Sequence, residues 1–534
     1  MKRALTLLLV VLMTVSAFNA FAGGAQEGGG GQAGEPTQVL RYACTSDFAD
    51  FHTAVREGGG PSQVVATLYN ALIALPTNLD ELRAGEYKPS LAESWEVSDD
   101  GRTWTFKLRQ GVQFHKDYGE LTAEDVAFTY GEVNADPAWG ANHNAYSELD
   151  IEVVDDYTVA ITTPVPNPQF PVLVANVGAG HVISKAAFEE KGMEAYRKDP
   201  IGTGPFQFVE HIPNEIVLVE RFDDYFEGTP ILERIEFIPM DVNSGELALR
   251  RGSVHFLNSG VESQDWVEKM EGFGIDAMAV FRESIMFLQL KTSVEPLDDI
   301  RVRRAIQHAI NADEVVELYG RDIARRLRGP VPDTFDGATE DVPQYEYDPD
   351  RARELLAEAG YADGFSLEGI ITERDSIRNA MIVVQEQLRD VGIDFELSVH
   401  PHSTWHELMR SGEGTINNRA TGRLPFADII LTENFHADAI VTRDTGIRNM
   451  MDYDNSLVNR NIEEARSEMN EERRKELYKE ALVQIMEDAV AVPLVVRASV
   501  VARHPAFDPG YDLDDYYQAD GHIVIDHRAR IVEN

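Results

Sequence analysis

Lys88 to Tyr130 reads KPSLAESWEVSDDGRTWTFKLRQGVQFHKDYGELTAEDVAFTY. Trp95 and Val97 alternate with polar residues, which predicts a strand with one buried face. Ser98-Asp99-Asp100-Gly101 is a turn cluster in which Gly101 can take a positive φ. Trp104, Phe106 and Leu108 then alternate with Thr103, Thr105, Lys107 and Arg109, so a second strand completes a hairpin. Gly111 breaks it. Thr122, with Asp125 three residues on, predicts the start of a helix carrying Val126, Tyr130 and Val133 on one face. Physics alone gives a hairpin and a helix of an α/β protein.

The residue choices say more. Pro89-Ser90-Leu91-Ala92-Glu93-Ser94-Trp95, Asp100-Gly101, Trp104-Thr105-Phe106-Lys107-Leu108-Arg109, Gly111-Val112, Phe114-His115 and Leu121-Thr122-Ala123-Glu124-Asp125-Val126 closely resemble one family. It is the extracytoplasmic solute-binding proteins of peptide and nickel ABC importers, the family 5 or oligopeptide-binding type. Tyr69-Asn70-Ala71-Leu72, Arg301-Val302-Arg303-Arg304-Ala305-Ile306 and Tyr347-Asp348 with Glu358-Ala359-Gly360-Tyr361 extend the likeness over nearly the whole chain.

The resemblance implies a periplasmic-binding-protein-like α/β fold of the cluster C type, two lobes on a hinge plus an inserted domain. Its boundaries would be lobe I at 37–72, 200–283 and 492–534, an inserted domain at 73–199, and lobe II at 284–491. The chain would cross between lobes near Arg282 and near Val492. Ligand would sit between the lobes and be buried by hinge closure.

The 534 residues suffice for more than one core, and about 150 per domain suggests three. A content of 43% hydrophobic and 26% charged residues describes a globular protein. Lys2 and Arg3, the short apolar run Leu7 to Val15 and Ala20-Phe21-Ala22 form a secretory signal peptide over 1–22, cleaved after Ala22. Residues 23–36 are a Gly-rich tether. The mature protein is therefore expected in the periplasm or otherwise outside the cytoplasm. Many family members carry a lipid-anchoring Cys after the apolar run. Here the only Cys is Cys44, in a predicted strand, where it reads as a buried apolar residue. One Cys also excludes an intrachain disulfide or a Cys-based metal site.

The formal charge is −43, and only 11 of the 48 basic residues are Lys. That excess argues against nucleic acid and anionic membranes as partners. A salty habitat, where screening weakens self-repulsion, is one explanation for it.

Along the chain, Val39–Cys44 reads as the first strand and Ser62–Leu72 as a helix. Val153–Thr163 forms a second hairpin around Asp155-Asp156. Gly202-Thr203-Gly204-Pro205-Phe206 is not a phosphate loop, because Gln207 takes the third glycine's place and Pro205 lacks an amide donor. In the family it marks the return to the first lobe. Val302, Ala305, Ile306 and Ala309 define a helix begun by Asp298-Asp299, and Ala352 to Ala359 another, stopped by Gly360. A helix Ser376–Val391 followed by strand Ile393–Val399 makes an αβ unit. Helices Leu457–Asn470 and Glu471–Asp488 precede a strand from Ala491.

Candidate ligand contacts follow from the resemblance. Asp47, Phe48 and Phe51 lie in the loop after the first strand, where family members usually have a Leu-Asp-Pro that is missing here. Asn70, Trp139, His143 and Arg282 are further candidates. The stretch Thr415 to Met451 departs most from the family and contributes Arg419, Arg423, Phe426, Asp428, Phe435 and His436. Asp428 is the counterpart of the acid that pairs with a peptide's ammonium group, or else a helix cap or solvated loop residue. Arg419 and Arg423 can hold a ligand carboxylate bidentately, or offset nearby acids. His400, His402 and His406 lie close together, but His406-Glu407 is followed by Arg410, so no zinc-protease motif exists and no metal is assigned. No cofactor and no catalytic residue is assigned either.

The expected function is solute capture, most often of a peptide, for an ABC permease, by a monomer without bond chemistry. A sugar, an opine-like compound or a metal chelate remains open as ligand. From other classes, a secreted hydrolase with paired carboxylates and a receptor-coupled chemosensor are the rivals.

Overall fold

Two long strands hold the architecture together. Asp276–Leu290 and Ala491–Arg503 pair antiparallel almost from end to end, from Asp276↔Arg503 to Gln289↔Ala491. The register slips between Phe281 and Ser284, so residues 282–283 form a bulge opposite Arg497 and Ala498. On one side of that bulge Ala491–Arg503 pairs with Phe256–Asn258, and on the other with Ala324–Arg326. The ribbon therefore belongs to both lobes. Its outer neighbour changes between Arg497, opposite Ala324, and Val501, opposite Asn258.

This computed structural model describes residues 37–532, except 46, 49, 54–59, 140–142, 176–179, 422–425, 444–445, 447 and 514–522. At 60–61, 83, 144, 281–283 and 420–421 the backbone alone is described. The expected signal peptide and tether lie outside this range, and residues 38–534 make one compact unit.

On the first-lobe side the sheet continues from Phe256–Asn258 to Val39–Cys44 and Arg234–Pro239, all parallel, and then to Ile216–Arg221 and Phe206–Ile212, antiparallel. Val39–Cys44 is buried on both faces, as a central strand's near-continuous apolar sequence requires. The preceding segment docks closely. The helix expected at 62–72 spans Gly60–Leu68 and stops there, because Leu68 O accepts the Gly204 amide at 2.9 Å. A Cβ on Gly202 would stand 2.0 Å from that same oxygen. The glycines of Gly202-Thr203-Gly204 are thus a close backbone approach, not an anion cradle.

The inserted unit is a four-stranded antiparallel sheet ordered Ala92–Val97, Thr103–Leu108, Thr158–Thr162, Asp150–Asp155. The predicted hairpin is its first half, with Trp95 opposite Phe106 and Gly101 at φ 70°. Trp104, Phe106 and Leu108 are buried, and Phe170 packs against the first two. The expected buried face of the first strand is not realised. Val97 is 40% exposed and Trp95 half-buried, because that strand is the sheet's edge and has neighbours on one side only. Thr122 and Asp125 form the expected capping box at Ala123–Ala127.

In the second lobe, strand Phe365–Thr372, helix Asp375–Asp390 and strand Ile393–His400 form a βαβ unit whose strands pair in parallel. Helix His402–Arg410 leads to strand Ile416–Thr421, which pairs with Ile285–Leu290. Helices Ala427–Phe435, Ser456–Ser467 and Glu471–Glu487 pack a separate core around Phe287, Phe435 and Tyr478.

Candidate functional site

In an α/β sheet, groups at the carboxyl ends of parallel strands face outward, where ligands collect. Strand Phe365–Thr372 ends there in Thr372-Glu373-Arg374, strand Ile393–His400 in Pro401-His402, and strand Ile416–Thr421 contributes Asn418 and Arg419. The chemistry is mixed: Glu373 and Arg374 are both exposed, with His402 and His406 beside them. Arg374 is open to solvent, and among the described residues its guanidinium has no hydrogen bond or ion pair. Enclosure by protein nevertheless lowers it from its ordinary value, with Glu262 of the first lobe partly offsetting this.

His402 Nδ1 lies 3.0 Å from Thr372 Oγ1, and His402 Nε2 lies 3.2 Å from His406 Nε2. Burial, then Arg374 and His406, hold His402 down to about 4. His406 is lowered by burial and then by Arg419, Arg410 and Arg374. Both rings are neutral at pH 7. Asn418 is fully buried with neither amide atom hydrogen-bonded. Such a group costs about 1–3 kcal/mol in a finished core.

Glu262 meets this group from the first lobe. It pairs closely with Arg497, which is 4% exposed and lies at the bulge of the crossing strands. The Arg497 guanidinium also sits 5.3 Å from the Tyr319 ring of the second lobe. Beyond this group the lobes touch at their rims. Phe426 shares an apolar cluster with Leu82 and Val172 of the inserted domain. A Cβ on Gly101 would meet Met469 Sδ at 2.7 Å.

The residues expected from sequence fall into three groups. Phe48, Phe51, Trp139 and Phe435 are core. Phe51 packs 5.0 Å from Phe208, Trp139 lies 4.7 Å from His52, and Phe435 stacks on Phe287 at 5.9 Å. Asp47, Asn70, Asp428 and His436 are engaged in the fold. Asp47 accepts the Asn214 amide at 2.9 Å, and Asn70 joins Thr203 (3.1 Å) to Tyr225 (3.3 Å). Asp428 lies 3.4 Å from Arg466 and accepts from Thr432 at 3.3 Å. His436 Nδ1 accepts the Asp438 amide at 3.2 Å, and its Nε2 lies 3.1 Å from Glu463. Phe426 packs against Leu82 and Val172, and Arg419 is 6% exposed within strand Ile416–Thr421, opposite Phe287. His143 is half-buried with Nδ1 unpartnered. Arg423 lies outside the described residues, as does the side chain of Arg282. Arg374, Glu262 and Arg497 were not anticipated. The signal for Arg374 was its place between a strand and the helix of the αβ unit.

The comparisons with known proteins agree with this architecture. The family model described as "Bacterial extracellular solute-binding proteins, family 5 Middle" matches residues 86–435. The dipeptide-binding protein of Escherichia coli K12 is 27% identical over 485 residues, covering 85% of this chain and 88% of that protein. Heme-binding protein A of Haemophilus influenzae is 26% identical over 481 residues, covering 82% and 84%. Among solved structures, MoaA of A. tumefaciens R10 in complex with mannopinic acid has a TM-score of 0.82 at 26% identity, covering 93% of this chain and all of that one. The oligopeptide-binding protein AppA of Bacillus subtilis in complex with a nonapeptide gives 0.76 at 24% identity, with 93% and 100% covered. With the family model spanning more than half of its length, this chain belongs to family 5 of the bacterial extracellular solute-binding proteins.

Proposed function

We propose that this protein captures a small solute between its two lobes outside the cytoplasm and delivers it, chemically unchanged, to the permease of an ABC importer. The observation that carries this is the pairing of Asp276–Leu290 with Ala491–Arg503 in one ribbon common to both lobes, with Arg374 and the His402–His406 pair on the second-lobe side of it. Capture is an equilibrium between open and shut forms, and the solute favours the form in which both lobes touch it. A peptide or peptide-like acid is the ligand class supported by relatives named for dipeptide and glutathione and by the mannopinic acid complex of MoaA. No helix among the described residues is long and apolar enough to cross a membrane. Export by the segment 1–22, leaving a monomer that begins at Gly23, completes the proposal.

The test is calorimetry and thermal unfolding of the mature chain against peptides, opines and sugars. A stoichiometric solute that raises Tm supports the proposal, since a ligand of the folded state alone stabilises it. Turnover of such a solute would instead place the protein among hydrolases. N-terminal sequencing of the exported protein checks the cleavage site.

A further inference from the structure

We propose that His402 and His406, one turn apart on helix His402–Arg410, chelate a divalent first-row transition ion through their two Nε2 atoms. The site goes beyond the solute-capture reading above and does not depend on it. Residue spacing alone assigns no metal to this pair, but the placement of the two rings does.

Distance is the first ground. His402 Nε2 and His406 Nε2 lie 3.2 Å apart, with the ring planes at 69°. Metal–imidazole bonds of about 2.0–2.1 Å, meeting at about 90–110°, set their nitrogens about 3.0–3.4 Å apart. Histidines four apart on a helix share one face, the spacing that helical zinc sites use.

Orientation is the second. His402 Nδ1 lies 3.0 Å from Thr372 Oγ1, and Thr372 is fully buried. With Nδ1 protonated and donating to that hydroxyl, the Nε2 lone pair is turned to the ion, as an outer partner of a metal-bound imidazole does. The His402 ring also stacks on Trp405 at 5.4 Å, and the Trp405 indole donates to Ile370 O at 3.2 Å. The ring is thus fixed from two sides before any ion arrives. Without an ion, His406 Nε2 donates its proton to His402 Nε2. With one, that proton moves to His406 Nδ1, and none is released.

Competition with protons is the third. Both rings are held below their ordinary range, so both are deprotonated well under neutral pH. Arg374, Arg410 and Arg419 contribute to that and also oppose a dication, while Glu373 and Glu407 stand exposed nearby in the chain. The balance selects ions that gain most from nitrogen, Cu²⁺ above Ni²⁺ and Zn²⁺, over Mg²⁺ or Ca²⁺. His400 Nε2 lies 2.9 Å from Ser398 Oγ, and no set of three ligating side chains gathers among the described residues. The remaining positions belong to water.

The experiment titrates the untagged mature chain with Cu²⁺ or Zn²⁺ alone at pH 7.5, by calorimetry, with excess Mg²⁺ to occupy surface carboxylates. Electron paramagnetic resonance of the Cu²⁺ form counts the coordinated nitrogens. We expect one ion per chain, coupling to two nitrogens, and Cu²⁺ bound more tightly than Zn²⁺. His402→Gln and His406→Gln should each weaken binding by at least about 100-fold, and Thr372→Val, which keeps both donors but releases the ring, by about tenfold. His400→Gln should change nothing. Coupling to fewer than two nitrogens, or wild-type affinity in the double variant His402→Gln/His406→Gln, puts the ion on surface carboxylates and overturns the proposal. A loss in His400→Gln as large as in His406→Gln overturns the two-ligand assignment. Should a glutamine variant fail to fold, the nitrogen count of the wild type decides. None of these outcomes touches solute capture.

Discussion

Asp428 lies 3.4 Å from Arg466 across two neighbouring helices, with the Thr432 hydroxyl on the same carboxylate oxygen. The pair ties helix Ala427–Phe435 to helix Ser456–Ser467. Arg466 is partly exposed, so the link is screened by solvent. Asp428→Asn should lower stability by no more than about 1 kcal/mol. Urea unfolding measures this, and the same sample reports the ligand affinity.

Phe426 is 5% exposed and seated among Leu82 and Val172 of the inserted domain. Its contacts there exist only when the lobes meet. Phe426→Ala should therefore weaken ligand affinity by about tenfold or more through the shut form, at about 1.5–3 kcal/mol of lost apolar burial. Small-angle scattering should show a larger radius of gyration without ligand than for the wild type. An unchanged radius with unchanged affinity would remove Phe426 from the closure contacts.

Glu262 and Arg497 form a buried pair at the bulge. Removing one partner leaves the other charge buried and uncompensated. Glu262→Gln should cost about 3–5 kcal/mol, and the double variant Glu262→Gln/Arg497→Met distinctly less than the sum of the two single changes. A double-mutant cycle by denaturant unfolding checks the coupling.

His115 is fully buried. Its Nε2 lies 2.9 Å from Gly204 O, and its Nδ1 accepts the Gly202 amide at 3.2 Å. Burial lowers it from 6.5 to about 4. The unfolded chain thus takes up this proton at a higher pH than the native one. The stabilising contribution is complete above pH 6.5 and is lost as pH falls to about 4, costing up to about 3 kcal/mol. His115→Gln should flatten the fall in stability between pH 6.5 and 4, whatever its effect at pH 8.

The acidic surface gives a prediction independent of the site. At −43, self-repulsion opposes the compact state, and added salt screens it. Tm should rise between 10 mM and 1 M NaCl. A flat or falling Tm would show that the surface carboxylates are already neutralised by their many arginine partners.

Local chemistry made much of the fold legible. Trp104, Phe106 and Leu108 alternate because they are the buried face of their strand, the first two against Phe170, and Gly360 ends its helix at φ 95° as its position suggested. The edge character of Ala92–Val97 was hidden, because edge and centre differ in what lies beside a strand, not in its own residues. The site was less legible for a related reason. Arg374, His402, Arg419 and Glu262 are separated by up to 157 positions, and only parallel pairing of two strands and a lobe crossing bring them together. The aromatic residues that suggested a ligand cleft, Phe48, Phe51 and Trp139, have the same composition as a core and turn out to be one.

The ribbon Asp276–Leu290 with Ala491–Arg503 has a mechanical consequence. A pleated pair bends readily out of its plane but resists shear along its hydrogen-bond ladder. The register slip at residues 282–283 makes that point of the ribbon the place where flexure is expected.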